Sequence, residues 1–177
     1  MDYFEAVEKR YSHKERFLPD AVPVSVLEQI ADAGLRAPTG YNTQCVSLVI
    51  LRNRDEVQKL GDIVGTNALT SASAAIAVLT DSECHRAKKY NFEMEDYSAA
   101  AAQMMLAATA LGYVSLWLDS PFFDDDSQAA ALKALGASDR YNLRVVLPVG
   151  LPDGEGSRRS KLSFDERVSY GTLGSSN

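Results

Sequence analysis

The stretch "DYSAAAAQMMLAATALGYVSLWL", residues 96–118, contains a long apolar helix that leads directly into an apolar strand. The helical part, Asp96 to Gly112, is apolar on nearly every side, which is typical of a helix at the centre of a domain or across a subunit interface. Its alanines allow neighbouring helices to approach closely, so its methionines are interpreted as packing residues. "VSLWL", Val114 to Leu118, follows as a buried strand with Trp117 in the core. The stretch predicts a helix packed on a sheet.

Three further apolar runs predict the rest of the sheet. They are "VSLVIL" (46–51), "AAIAVLT" (74–80) and "LRVVLPV" (143–149), and their nearly unbroken apolar character is typical of strands covered on both faces. Helix starts are predicted where Asp, Asn or Ser is followed three residues later by Glu, at Asp2, Ser25, Asn53 and Ser163. The acidic run 124–126 predicts another helix start. We expect one domain over residues 1–177, a sheet flanked by helices.

Composition limits the classes of partner. A net charge of −6 argues against a nucleic-acid partner, because phosphate backbones are held by clustered Lys and Arg. No apolar run has the length of a membrane span and the N-terminus does not resemble a signal peptide, so we expect a cytoplasmic protein without a membrane partner. Two cysteines and two histidines make a metal site improbable. Cys45 is interpreted as a small buried side chain rather than a redox-active thiol, since Cys84 is distant in sequence.

Two clusters of basic residues are candidates for ligand binding or catalysis. In "KRYSHKER" (9–16), Arg10, Ser12 and Lys14 are spaced two apart, which places them on one side of an extended segment. "SRRSK" (157–161) repeats that spacing with Arg159 and Lys161. Either cluster alone is more simply read as solvated surface. His13 is poorly placed to serve as a base for the adjacent Ser12, which disfavours a hydrolase.

Four motifs in order resemble those of the nitroreductase family of flavin mononucleotide (FMN) enzymes. They are "RYSHK" (10–14), "APTGYNTQC" (37–45), the helix and strand of 99–118, and "LPVGLPDGEGSRRSK" (147–161). The resemblance implies an α+β fold with three layers, in which helices flank a central, mostly antiparallel sheet. It also implies a homodimer with FMN at the subunit interface.

Carried over by position, the resemblance implies three groups of FMN-binding residues. The ribityl and phosphate groups would be approached by Arg10, Tyr11, Ser12, Lys14, Arg159 and Lys161. The neighbouring subunit would contribute Pro38, Thr39, Gly40, Asn42 and Gln44. Asn67, Leu118, Asp119 and Ser120 would border the flavin ring, although Asp119 is more simply read as a helix cap or turn residue. Cys45 stands where the family usually has proline, and Tyr11 where arginine or histidine is common.

The implied activity is NAD(P)H-dependent reduction of a nitroaromatic, quinone or similar electron-poor acceptor, by ping-pong hydride transfer through flavin N5. The protein would supply position and electrostatics, so no side chain is assigned as catalytic. The alternative is a flavin-binding sensor or carrier whose pocket is filled by bulky side chains such as Tyr41, Phe122 and Phe123. Only seven residues follow Tyr170, so we do not expect a long C-terminal arm around the partner.

Overall fold

A four-stranded antiparallel sheet lies at the centre of the computed structural model, which describes residues 1–84 and 88–173. Strand order is β1-β2-β4-β3, with β1 over Val46–Leu51, β2 over Ala74–Asp81, β3 over Val114–Ser115 and β4 over Tyr141–Gly150. β2 pairs with β1 on one side and β4 on the other, and it is buried from Ala74 to Thr80. The predicted strands 46–51, 74–80 and 143–149 are confirmed.

Helices cover both faces of this sheet, which confirms the predicted α+β fold with three layers. Their bounds are α1 Tyr3–Lys9, α2 Val24–Leu35, α3 Arg54–Val64, α4 Asn67–Ser71, α5 Glu93–Ala110 and α6 Asp125–Leu135. On one face, α2 and α5 bury side chains against Ile76 and Val78. On the other, α3, α4 and α6 pack against Ala77 and Leu79. The alternation along β2 therefore divides the core into two apolar layers. No helix in the described ranges combines the length and apolarity that crossing a bilayer requires.

Three helices begin where the sequence predicts. The side chains of Asp2 and Asn53 accept hydrogen bonds from backbone N–H groups three residues later, at 2.9 and 3.0 Å. Asp124 does the same for Ser127 at 2.9 Å and precedes α6. These contacts satisfy amide donors that a helix start leaves open.

Two predicted helix starts are wrong. α2 begins at Val24 after Pro23, so Ser25 lies inside the helix and does not cap it. The fixed φ of proline favours a helix start at this point, ahead of Ser25. Near residue 163, the Glu166 carboxylate does accept from the Ser163 amide at 2.7 Å. Only a turn follows, at 165–167, since the surrounding residues are exposed and no packed face stabilises a helix.

β3 is shorter than the predicted Val114–Leu118, and a proline accounts for this. Ser115 pairs with Val149, and Leu118 forms a separate bridge to Val146 in the same register. That register places Leu116 opposite Pro148, which has no N–H to donate to the ladder. The strand is therefore interrupted rather than displaced.

α5 and α2 meet at a glycine. A Cβ atom at Gly34 would lie 2.6 Å from Cγ of the fully buried Met104 and 3.2 Å from the Ala100 carbonyl oxygen. The helix is thus a packing element, as predicted, although it begins at Glu93 and buries the carboxylate-bearing Asp96. Close approach of these helices needs a glycine at position 34.

We expect Gly34→Ala to destabilise the fold by about 1–3 kcal/mol, because overpacking outweighs the gain in helix propensity. The matched control is Gly61→Ala in α3, where the nearest atom is the flexible Gln58 Nε2 at 3.2 Å. That variant should be neutral or more stable by up to about 1 kcal/mol. Urea unfolding followed by tryptophan fluorescence measures both, and equal effects of the two substitutions would contradict the packing argument.

Candidate functional site

A cavity of about 230 Å³, here called the basic cavity, lies where the chain segments around residues 10–14 and 157–161 meet. Its lining consists of Arg10, Tyr11, Ser12, Lys14, Ser157, Arg158, Arg159 and Lys161. Five of these side chains are cationic and none is acidic. The structure thus brings together both basic clusters that the sequence singled out.

The first half of the basic cavity follows from how α1 ends. The backbone at Arg10, which ends the helix, is extended, with φ and ψ of −62° and 130°. Ser12 then forms a parallel β-bridge with Ser115 of β3. Two-residue spacing in this extended segment places Arg10, Ser12 and Lys14 in the cavity lining. His13 is fully buried instead, with Nε2 2.8 Å from the Arg16 carbonyl oxygen. It therefore acts as a structural side chain.

The second half is held against the first by Tyr11. A Cβ atom at Gly156 would lie 2.1 Å from Cε2 of the Tyr11 ring, so only glycine allows the backbone to approach so closely. The Arg158 guanidinium lies 5.3 Å from the centre of that ring, and its Nη1 donates to the Glu8 carbonyl oxygen at 3.2 Å. Arg158 was not predicted from the sequence, because it falls between the two residues whose spacing indicated the cluster.

In the part of the chain that the structure describes, no carboxylate forms an ion pair with a cation of the basic cavity. The ion pairs found there join Lys9, Arg36, Arg52, Arg140 and Arg144 to acidic side chains. In a chain of net charge −6, five neighbouring cations without such partners are costly unless an anion balances them. The geometry and charge fit a phosphate group.

A larger cavity of about 660 Å³, here called the apolar cavity, adjoins the basic one. The two share Arg10, Ser12 and Lys161. The other lining residues are mostly apolar and come from α1, α5 and the segment after β3: Tyr3, Val7, Ala102, Met105, Leu106 and Trp117. Trp117, which the sequence analysis placed in the core, is thus a lining residue. A ligand with a flat apolar body and an anionic end would fit both cavities.

Two polar side chains beside these cavities have different roles. Ser115 Oγ is buried and has no hydrogen-bond partner within the described ranges, and Ser115 is not among the lining residues of either cavity. Asp119 accepts from Trp117 Nε1 at 2.8 Å and from the Ser120 amide at 2.6 Å. Asp119 therefore caps the 3₁₀ turn Ser120–Phe122 and orients the Trp117 ring.

The remaining ring-border candidates lie outside both cavities. Leu118 packs on the sheet face opposite α5, in the layer that also contains the fully buried Phe122. Asn67 begins α4, where its carbonyl oxygen accepts from Ser71 Oγ at 2.6 Å. Phe123 is 68% exposed and Tyr41 54%, so neither fills a pocket within one chain. The bulky residues considered for a sensor or carrier thus leave the apolar cavity open.

The loop Ala37–Cys45 has an unusual backbone. Tyr41, Asn42 and Gln44 have φ values of 56°, 53° and 54°, in the left-handed region that costs non-glycine residues energy. The buried Asp96 carboxylate accepts from the Gly40 amide at 2.7 Å and from Thr43 Oγ1 at 3.3 Å. Asp96 was not among the residues singled out from the sequence, and it holds the loop in this conformation.

A second contact to α5 explains the glycine of this loop. A Cβ atom at Gly40 would lie 2.2 Å from Cδ2 of Phe92, so the backbone rests directly on that ring. Thr39 and Gln44 line a separate cavity of about 240 Å³ with Asp96 and Ala100. None of the described residues that line this cavity also lines the basic or the apolar cavity. Within one chain the loop Ala37–Cys45 therefore contributes no residue to the lining of either.

Near the loop, Glu93 forms an ion pair that the sequence did not predict. Burial raises the pKa of Glu93, but hydrogen bonds from Thr80 and Arg144 outweigh this and hold the pKa below its usual value. Arg144 Nε donates to Glu93 Oε1 at 2.8 Å. The carboxylate is therefore ionised at neutral pH and serves a structural role rather than proton transfer.

Cys45 and Cys84 form a disulfide, with Cα atoms 5.7 Å apart. The interpretation of Cys45 as an unbonded buried side chain is wrong, although it is only 2% exposed. The antiparallel pairing of β1 with β2 brings the end of the loop beside the turn that contains Cys84, across a sequence separation of 39. Sequence distance therefore concealed the pairing.

Comparisons with known proteins agree with this architecture. The model of the Nitroreductase family matches residues 7–75 and 67–151. A protein of Archaeoglobus fulgidus, provisionally named an NADH dehydrogenase/NAD(P)H nitroreductase, is 30% identical over 132 residues, or 73% of this chain and 74% of that protein.

Solved structures share the fold. A provisionally named nitroreductase from Desulfovibrio desulfuricans, crystallised in complex with FMN, superposes with a TM-score of 0.81 at 25% identity, over 95% of each chain. An FMN-dependent nitroreductase from Clostridium difficile gives a TM-score of 0.81 at 22% identity, over 96% of this chain and 99% of that one.

Proposed function

Because this chain belongs to the nitroreductase family, we propose that it is an FMN-dependent oxidoreductase that uses NAD(P)H to reduce electron-poor acceptors such as nitroaromatics or quinones. The observation that carries the proposal is the basic cavity, whose five cations have no carboxylate partner among the described residues, joined to a larger apolar cavity. FMN has the matching chemistry, a flat ring system at one end and a phosphate at the other.

The residues present fit this cofactor. Arg10, Lys14, Arg159 and Lys161 supply the charge that a nearly dianionic phosphate requires, and the arginine forks suit its oxygens. The hydroxyl of Ser12, which lines both cavities, is available to polar groups between phosphate and ring. When bound, FMN supplies the redox chemistry, accepting a hydride at N5 from NAD(P)H and passing electrons to the acceptor.

The side chains themselves bind, orient and exclude water. Met105, Leu106 and Trp117 would cover one side of a ring in the apolar cavity and leave the other accessible to two substrates in turn. Asp119 keeps Trp117 in place through the indole N–H. We assign no side chain as nucleophile, acid or base. The proposed cellular location of the protein is the cytoplasm.

The direct experiment titrates the purified protein with FMN and then adds NADH or NADPH anaerobically. We expect tight FMN binding and bleaching of the yellow absorbance by at least one of the two reductants. Bleaching should be reversed by a quinone or a nitroaromatic. FMN binding without bleaching would instead favour a sensor or carrier, and no FMN binding would refute the proposal.

The proposed site also requires a second subunit. Because no residue of the loop Ala37–Cys45 lines the basic or the apolar cavity of its own chain, we propose that each loop borders the FMN of the partner. Exposed apolar side chains surround the apolar cavity, including Tyr3 at 65% and Phe4 at 81%. The segment after Lys161 is also exposed and contains Leu162, Phe164 and Tyr170. Such surfaces are typical of subunit interfaces.

We therefore expect a homodimer in dilute solution, measured by light scattering. The basic cavity draws its lining from one chain, whereas the loop comes from the partner, so dilution into monomers should release FMN. A monomer that binds FMN with unchanged affinity would contradict the cross-subunit site. A monomer without FMN would leave the cavity assignment intact.

Substitutions of Asn42 test whether the loop forms hydrogen bonds with FMN. We expect Asn42→Ala to weaken FMN binding by about 0.5–1.5 kcal/mol for each hydrogen bond lost, and to shift the flavin absorbance maxima. Asn42→Leu should be worse, because its bulk leaves a polar edge unsatisfied and excludes a bridging water. If Asn42 only stabilises the turn, both variants will melt at lower temperature with and without FMN, and the flavin spectrum will not move.

A further inference from the structure

The Cys45–Cys84 disulfide is attached to the loop Ala37–Cys45 at two points. Cys45 is the last residue of the loop, and its carbonyl oxygen accepts from the Asp81 amide at 3.1 Å where β2 ends. The Sγ atom of Cys84 lies 3.6 Å from the carbonyl oxygen of Thr43. The bond therefore fixes the C-terminal half of the loop to the turn that follows β2.

The loop needs such fixing because its backbone is strained. Tyr41, Asn42 and Gln44 all have positive φ, and each such residue persists only when its surroundings enforce it. Asp96 and Phe92 hold the first part of the loop. Gln44 is held by a hydrogen bond from its amide to Thr39 Oγ1, at 3.2 Å, and by its covalent neighbour Cys45. The disulfide is thus a covalent restraint on the residue that follows the last strained one.

The two sulfur-bearing residues differ in accessibility. Cys45 is 2% exposed, whereas Cys84 is partly exposed and follows two exposed residues, Ser82 and Glu83. An attacking thiolate must reach a sulfur atom along the S–S axis, so access selects the site of attack. Cys84 is the more exposed of the two residues, which makes its sulfur the expected point of attack.

We propose that Cys84 is a thiol-exchange site, at which a low-molecular-weight thiol opens the disulfide and releases the loop. The external thiolate forms a bond to Cys84 Sγ, the Cys45–Cys84 bond breaks, and Cys45 leaves as a thiolate that takes a proton from water. A second thiol molecule then attacks the mixed disulfide, freeing the Cys84 thiol and giving the oxidised thiol dimer. Two thiols are oxidised and one disulfide is reduced.

Opening the disulfide should change the site as well as the loop. With Cys45 unrestrained, Gln44 and Asn42 can leave their positive φ values, and the loop loses the conformation it presents. Weaker FMN binding in the reduced protein follows if the loop borders FMN, and this part of the inference rests on the proposed function. Release of the loop itself does not depend on FMN.

Peptide mass spectrometry tests the exchange without any flavin. The oxidised wild-type protein is incubated with reduced glutathione under native conditions and the released thiols are trapped with iodoacetamide. We expect glutathione on Cys84 and the alkyl group on Cys45. The opposite pattern, or no reaction until the protein is unfolded, would overturn the proposal.

Hydrogen exchange tests release of the loop. Amides of residues 40–44 should exchange at least about fivefold faster in the reduced protein and in the Cys45→Ser/Cys84→Ser variant, as expected for local opening. Amides of α6, which packs on the sheet face opposite α5 and its contacts with the loop, should not change. Reductant should have no effect on the double variant. Equal exchange of the loop in the oxidised and reduced proteins would refute the release.

FMN titration completes the test. The dissociation constant should rise about tenfold on reduction and recover on reoxidation, whereas the double variant should stay weak in both conditions. If neither form binds FMN, the proposed function fails, and the hydrogen-exchange result still decides the thiol-exchange site. If FMN binds both forms equally while the loop opens, the loop does not border FMN.

Discussion

An Arg10→Ala/Arg159→Ala variant is expected to bind FMN on the order of a hundredfold to a thousandfold more weakly than the wild type. Each arginine supplies a charge-assisted hydrogen bond of about 1–3 kcal/mol, and together they come from both halves of the basic cavity. Riboflavin, which lacks the phosphate, should bind the variant and the wild type almost equally. Fluorescence titration with both ligands measures the difference.

The control for this variant removes the same number of charges elsewhere. Arg36→Ala/Arg52→Ala breaks two exposed ion pairs, with Asp32 and Glu56, and each pair is worth at most about 1 kcal/mol. It should leave FMN affinity unchanged, while any general effect of net charge would appear in both variants. A comparable loss of riboflavin binding in the Arg10/Arg159 variant would remove these residues from the phosphate site.

Asp96→Ala is expected to destabilise the fold by about 2–4 kcal/mol, because it leaves the Gly40 amide and the Thr43 hydroxyl without their buried acceptor. The loop should then lose its positive-φ conformation, so FMN affinity should fall together with stability. Urea unfolding and FMN titration measure the two effects separately.

Two further substitutions sharpen the Asp96 prediction. Asp96→Asn keeps one acceptor oxygen and should recover part of both losses. Glu95→Ala removes a carboxylate from the same turn of α5 on the exposed side, and its effect should stay within about 0.5 kcal/mol. Equal stabilities of the Glu95 and Asp96 variants would show that the buried carboxylate does not hold the loop.

Local patterns predicted much of the fold because local physics determines those elements. β1 spans the residues expected from "VSLVIL", and the caps at Asp2 and Asn53 act within three residues. Prediction failed where a competing local signal was stronger, as at Pro23 before Ser25. It also failed where an element lacked tertiary packing, as after Ser163.

The basic cavity was predictable because the two-residue spacing in each cluster is a property of extended backbone. Asp96, Arg158 and the Cys45–Cys84 pair were not, since each acts on a partner far away in sequence. Asp96 lies within an alanine-rich helix whose composition suggests packing alone. Only the fold reveals that its carboxylate meets a loop 56 residues earlier.

The contact between residues 8–14 and residues 156–161 determines when the basic cavity can form during synthesis of the chain. Arg158 donates to a carbonyl oxygen 150 residues earlier, so the two halves of the basic cavity leave the ribosome at different times. At about 5–20 residues per second, the interval is on the order of ten seconds. During it, Arg10 and Lys14 have no counterpart across the cavity, and a nascent chain has little means to retain a phosphate. If the basic cavity binds the phosphate of FMN as proposed, loading of the cofactor is a late event that follows synthesis of the chain through Lys161.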